Sequence, residues 1–177
     1  DFRKTSVFPS SISSAFGYTG IYTAKDTLQN GLGYWVKFSS AQALQIGGLQ
    51  ITQDTIDVVA RWNLIGSISQ SIATSQITSL PPGIITSQFF GHNGGYFTSD
   101  SIHPGKAYWV KVSQSGQLIL STSSTASPAN RIRIVRTSEL PPDAPDDDRD
   151  AHFTSHIPNQ FALEQNYPNP FNPTTNF

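Results

Sequence analysis

Gly31-Leu32-Gly33-Tyr34-Trp35-Val36-Lys37 returns 74 residues later as Gly105-Lys106-Ala107-Tyr108-Trp109-Val110-Lys111. The match extends towards the N-terminus without a gap. Phe16-Gly17-Tyr18-Thr19-Gly20-Ile21-Tyr22 aligns with Phe90-Gly91-His92-Asn93-Gly94-Gly95-Tyr96, and Asp26-Thr27-Leu28 aligns with Asp100-Ser101-Ile102. An order of aromatic-Gly, Tyr, Asp-hydroxyl-aliphatic, Gly and Tyr-Trp-Val-Lys kept in one register is an internal repeat. One supersecondary unit is therefore expected twice.

The unit reads as strands. Residues 34–38 and 108–112 join aromatic to β-branched side chains behind a glycine turn. Residues 42–46 and 117–120 alternate polar with apolar, as a half-buried strand does. Residues 57–65 form a longer candidate, with Trp62 and Leu64 turned inward. Asn30-Gly31, Gly47-Gly48, Pro81-Pro82-Gly83 and Asn93-Gly94-Gly95 are turn chemistry. No helical stripe is present, and residues 71–78 suit one short turn of helix. The expected fold is all-β, with two homologous β-rich units built as a sandwich or as paired barrels. An extended, strand-containing tail follows them. The expected divisions are 1–66 and 67–125 for the units, 126–156 for a strand and linker, and 157–177 for a terminal segment.

The two copies differ at their start. Arg61-Trp62-Asn63-Leu64-Ile65-Gly66 precedes the second, whereas only residues 1–6 precede the first. The first unit is thus expected to lack a strand, which a longer precursor or another chain supplies. An unpaired sheet edge is a template for such addition.

Charge narrows the function. Charged residues are 13% of 177 and the formal net charge is -1. Phosphate recognition needs clustered Lys and Arg, so nucleic-acid binding is excluded as a class, and attraction to an anionic membrane has no basis either. The apolar runs are too short for a spanning helix. Cysteine is absent, which removes thiol catalysis, disulfides and thiolate metal sites. The chain opens at Asp1 without a signal peptide, and reads as a mature or excised portion of a longer precursor.

Beyond residue 125 the composition shifts. Arg131, Ile132, Arg133, Ile134, Val135 and Arg136 alternate cation with aliphatic, a one-sided strand and a candidate donor strand. Residues 141–150, Pro-Pro-Asp-Ala-Pro followed by Asp-Asp-Asp-Arg-Asp, read as an extended solvated linker. The run of carboxylates from 143 to 150 has the oxygen ligands Ca²⁺ prefers, but lacks the glycine and closing Glu of an EF-hand loop.

Gln165-Asn166-Tyr167-Pro168-Asn169-Pro170-Phe171-Asn172-Pro173-Thr174-Thr175 resembles the opening of the C-terminal sorting domain of type IX secretion cargo. The resemblance covers about the last twenty residues, and the family domain continues for several more strands. It implies export across an outer membrane, engagement of the type IX machinery, and an extracellular or outer-surface location. Trp62-Asn63-Leu64-Ile65-Gly66 and Gly33-Tyr34-Trp35-Val36-Lys37 also resemble repeats placed ahead of that domain in large exported bacterial proteins. Asp26-Thr27-Leu28, Asp54-Thr55-Ile56 and Asp100-Ser101-Ile102 resemble the O-glycosylation signature of the same bacterial lineage. Thr27, Thr55 and Ser101 are the acceptors this implies; Asp opening a turn before a strand explains the same triplets.

Catalytic chemistry finds little to work with. The chain has no Gly-x-Ser-x-Gly elbow, Walker loop or Cys-His pair. His92, His103, His152 and His156 are spaced as surface or turn residues. Asp26 and Asp100 are repeat equivalents, which accounts for them without a carboxylate pair. No catalytic residue, metal or cofactor is expected. Tyr34, Trp35, Tyr108 and Trp109 carry a sharper expectation. Adjacent strand residues face opposite ways, so one ring of each pair should be core; the other either packs in the core or an interface, or stands exposed to stack on a sugar ring or a neighbouring subunit. The expected function is a non-catalytic structural or adhesive protein of the cell exterior, self-associating into fibres by strand or tail exchange. A carbohydrate-binding accessory module of a secreted hydrolase is the alternative.

Overall fold

The computed structural model describes residues 2–123 and 139–145. The candidate donor strand, His152, His156, the carboxylates beyond residue 145 and the terminal segment lie outside the described residues. Eleven strands and two short helical turns make up the described part. In chain order they are α1 (Lys4–Val7), β1 (Ala15–Tyr18), β2 (Tyr22–Lys25), β3 (Gln53–Val58), β4 (Arg61–Ile65) and β5 (Ile72–Ala73). A 3₁₀ turn (Thr74–Gln76) falls inside the 71–78 window. Then come β6 (Thr78–Leu80), β7 (Phe89–His92), β8 (Tyr96–Ser99), β9 (Ser101–Ile102), β10 (Tyr108–Val112) and β11 (Gly116–Ser121).

The fold is all-β. A four-stranded sheet has the order β4-β10-β7-β8, a three-stranded sheet the order β3-β11-β6, and β1-β2 and β5-β9 are separate pairs. All the ladders are antiparallel, and no barrel closes among the described residues. The two larger sheets share one apolar core. Tyr108, Val110 and Val112 of β10 and Ile65 of β4 meet Ile56 and Val58 of β3 and Leu118 and Leu120 of β11 there. The period-2 alternation of β3 and β11 puts Ile56, Val58, Leu118 and Leu120 on one face, and Thr55, Asp57, Gln117 and the half-buried Ile119 on the other.

Residues 74 apart make the same bonds. Tyr18 faces Tyr22 across β1-β2, and His92 faces Tyr96 across β7-β8. Phe16 bridges Trp35 as Phe90 pairs with Trp109. The Lys37 amide donates to Ser13 Oγ at 2.9 Å, and the Lys111 amide donates to Ser87 Oγ at 2.8 Å. The hydroxyl of Tyr34 accepts from the Gln29 amide at 3.0 Å, and that of Tyr108 from the His103 amide at 3.2 Å. Backbone donors need partners, and the repeat supplies them with the same side chains in both places.

Several expectations are corrected. The strand foreseen over 57–65 is two strands in different sheets. Asn63 holds the corner between them: its amide donates to the carbonyls of Val59 (2.8 Å) and Arg61 (3.0 Å) and its oxygen accepts from the Val59 amide at 2.9 Å. Arg61 takes a φ of 86° to make the turn, the one non-glycine with positive φ among the described residues. β3 and β4 pair with β11 and β10 of the second copy, so the sheets do not divide at 66/67. Residues 34–38 keep only single bridges, and residues 41–50 form no strand at all. The cause is one of supply. Among the described residues one β3-β4 element is present; it serves the second copy, and the first has no counterpart. Leu118 and Leu120 are 0% exposed, whereas their counterparts Leu44 and Ile46 are 37% and 57% exposed. Full burial of such a side chain is worth roughly 1.5–3 kcal/mol, so the first copy forgoes much of the core the second has.

The first copy instead lies along the outer edge of β4. Leu32 bridges Ile65, the Gly33 amide donates to the Leu64 carbonyl at 3.0 Å, and the Gly66 amide donates to the Gly31 carbonyl at 2.8 Å. Gly33 permits this closeness, since a Cβ there would sit 2.7 Å from Ala107 Cβ and 2.8 Å from the Ile65 carbonyl oxygen. Gly33→Ala should therefore destabilise the protein by roughly 1–3 kcal/mol through overpacking. Gly47→Ala, with nothing within 4 Å of the added carbon, should be near neutral. Urea denaturation of both variants checks this.

Candidate functional site

The outer face of the four-stranded sheet is aromatic. Trp62, Leu64, Phe90 and Trp109 are buried there, and Tyr18, Tyr22, Trp35, Tyr96 and Ala107 pack against them. Trp62 meets Phe90 at 5.8 Å and Trp109 at 6.4 Å, both edge to face. Such contacts add about 0.5–1.5 kcal/mol each beyond the area they bury.

The seam between the copies has a twofold pattern. Tyr18 meets Trp109 at 4.8 Å and 77°, and their repeat counterparts His92 and Trp35 meet at 4.8 Å and 73°. Tyr18–Tyr22 at 5.1 Å is answered by His92–Tyr96 at 5.2 Å. Gly33 and Ala107, themselves counterparts, adjoin each other. Residue i of one copy touches j of the other, and j touches i, which is the signature of an isologous interface.

A proline-rich strap closes this seam. Tyr96 donates its hydroxyl to the Pro142 carbonyl, and its counterpart Tyr22 donates to the Asp143 carbonyl at 2.7 Å. Pro141 is buried. Glu139 is held at the near end, accepting from Trp62 Nε1 at 3.1 Å and pairing with Lys111 Nζ. A segment rich in proline offers carbonyls with few N–H groups to satisfy, so hydroxyl donors suit it. The expected solvated linker is thus corrected at its first residues, because the aromatic face supplies apolar cover and donors together.

Electrostatics follow from burial. Desolvation, chiefly, pushes the Tyr22 hydroxyl well above its ordinary range, and the neighbouring Tyr96 adds to this. Desolvation likewise raises Tyr96. The hydrogen bond from Lys111, then that from Trp62, lowers the exposed carboxyl of Glu139. The indole N–H groups of Trp35 and Trp109 are buried. They pull on the hydroxyls of Tyr22 and Tyr96 without reaching hydrogen-bond geometry.

In the second copy both rings of the Tyr-Trp pair take the packed alternative. Tyr108 is 2% and Trp109 1% exposed, because the sandwich core buries one face of β10 and the seam buries the other. Tyr34 and Trp35 are half-buried, beside a cavity of about 420 Å³ that His92 and Phe97 also line. Thr27 and Thr55 are exposed and Ser101 is partly so, with Leu28, Ile56 and Ile102 buried behind them. Asp26 and Asp100 each accept a backbone bond at their carbonyl, from Lys4 at 2.7 Å and Thr74 at 2.8 Å. The His103 ring lies 2.8 Å from Ser71 Oγ. Among the described residues no group of three or more His, Cys, Asp or Glu is placed to hold a metal ion, and no helix is long and apolar enough to cross a membrane. Sequence reasoning missed Tyr18, Tyr22, His92, Tyr96 and Glu139 as parts of one site; the recurrence of Tyr22 as Tyr96 was the available signal.

No family model, curated protein or solved structure matches the chain.

Tyr22→Phe and Tyr96→Phe should each cost about 0.5–1.5 kcal/mol, the net worth of one hydrogen bond, and loosen the strap with a change in tryptophan fluorescence. The pH response has two limbs. Glu139 is lowered on folding, so its contribution is complete above its unfolded value and is lost as pH falls through the folded one. Tyr22 and Tyr96 are raised, so theirs is complete below the usual tyrosine value of 10.0 and declines as pH rises past it. Fluorescence titration should show strap release at both extremes, with Glu139→Gln abolishing the acid limb alone.

Proposed function

We propose that the chain is a non-catalytic structural or adhesive protein of the cell exterior, exported by type IX secretion, that associates with copies of itself or with neighbouring domains through its tail. The observation that carries this reading is the strap. Two repeat-equivalent tyrosines grip adjacent carbonyls of residues 142 and 143. The hydroxyls of Tyr22 and Tyr96 are engaged with the chain's own backbone and the rings of the seam with one another, which is the chemistry of a grip. A grip on a tail works equally within one molecule or between two, and exchange between molecules builds chains of subunits. The resemblance of the Gln165-to-Thr175 phrase to the opening of a type IX sorting domain supports the export part of this reading.

Concentration-dependent oligomers are expected from the full chain by light scattering and electron microscopy. They should disappear on removal of residues 128–177, while Tyr22→Phe/Tyr96→Phe should weaken them. Assembly unchanged by the truncation would sink the tail-exchange mechanism.

The exposed Thr27 and Thr55 and the partly exposed Ser101 favour a glycosylated coat. Intact-mass and peptide mapping of the natural protein should find sugar at these hydroxyls, and bare residues at all three would end the idea. The second reading, a carbohydrate-binding module, is favoured by the half-buried Trp35 beside its cavity. Glycan binding lost in Trp35→Ala would establish it.

A further inference from the structure

The first copy presents an open sheet edge that the second copy has closed. Within residues 34–38 the bonds run to one side only. Trp35 and Phe16 exchange amide-carbonyl bonds of 2.9 Å each, and the Lys37 carbonyl accepts from the Ile12 amide at 2.9 Å. Phe38 bridges Ser11 through the Lys37 carbonyl, and no backbone hydrogen bond is made by the N–H and C=O groups of Tyr34, Val36 and Phe38 themselves among the described residues. Their counterparts Tyr108, Val110 and Val112 stand opposite Ile65, Asn63 and Arg61 of β4. The same contrast holds one segment further on. Leu118 and Leu120 are covered in a ladder with β3, while Leu44 and Ile46 are exposed.

From these two contrasts we infer that the first copy is an acceptor site for a β-hairpin of the β3-β4 type, contributed by a further repeat module. The second copy is the template. A fitting occupant places an Ile65-like residue opposite Tyr34 and an Asn63-like residue opposite Val36, with the Asn holding the corner. Its preceding strand brings aliphatics at the Ile56 and Val58 positions over Leu44 and Ile46.

The molecule's own elements do not meet this need. A second copy of this chain has its β3 and β4 already paired with β11 and β10. Lending them would bare as much edge as it covered. The Arg131-to-Arg136 segment offers a single alternating strand. The acceptor needs two, because the elements equivalent to 34–38 and 42–46 belong to different sheets in the second copy. A hairpin from a further repeat module satisfies both. This inference rests on the repeat geometry and is independent of the tail-exchange reading.

The test uses the full chain and a synthetic peptide of residues 51–66. Amide hydrogen exchange is followed at Tyr34, Val36 and Phe38, with and without peptide. Saturable binding with exchange at these amides slowed on the order of tenfold or more is expected, as for any amide taken into a ladder. The double variant Leu44→Asp/Ile46→Asp, altered at side chains exposed in the free chain, should fold as before and bind at least about tenfold more weakly, since it loses apolar cover. A chain with residues 51–66 fused ahead of Asp1 through a five-residue spacer, the length that separates Gly66 from Ile72, should show the same protection without added peptide. Unprotected amides in both the peptide and the fusion experiments would overturn the inference. So would full binding by the double variant, or protection by a peptide of residues 131–136 in place of the hairpin.

Discussion

Two edge-on ring contacts of 4.8 Å, Tyr18 on Trp109 and Trp35 on His92, bind the copies of the repeat together. Each ring meets the counterpart of the ring that its own counterpart meets, so one arrangement is made twice. The edge-to-face geometry brings the positive rim of one ring to the negative face of the other. From this seam follows the burial of both faces of the four-stranded sheet, because the first copy covers the face the sandwich core leaves open. The strap is a further consequence. Tyr22 and Tyr96 stand at matching places beside the seam, and a short peptide can span them.

The uneven burial of the two copies has its source in one element. β3 and β4 bring Ile56, Val58 and Ile65 into the sandwich core and Trp62 and Leu64 into the seam. The second copy takes this element along one edge of β4, and the first copy has only the other edge, through Leu32 and Gly33. Residues 41–50 accordingly make few buried apolar contacts, the condition under which local opening costs least. The same sequence pattern thus gives a strand in one place and none in the other.

The legible part of the fold was the part whose physics is local or repeated. Tyr34-Trp35-Val36 against Tyr108-Trp109-Val110 revealed the duplication, and strand chemistry identified β10 and β11. What escaped was set by partners distant in sequence. Residues 42–46 alternate like residues 117–120, but alternation makes a strand only when another strand lies beside it. Residues 57–65 look continuous until Asn63 turns them with three bonds to its own backbone neighbourhood. Tyr108 and Trp109 point to opposite faces as expected, yet neither is free, since the cover over Trp109 comes from Tyr18 of the first copy. Pro141 and Pro142 carry the composition of a linker, and only the aromatic face beneath them makes them part of the body.

The grip proposed for the strap depends on the twofold seam. The most direct measurement is a nuclear Overhauser spectrum of the isotope-labelled full chain, assigned at the aromatic rings. Cross-peaks linking Tyr18 to Trp109 and Trp35 to His92, of similar strength and lost together on unfolding, are the predicted result. One of the pair without the other, or neither, would contradict the packing of the two copies about a common seam.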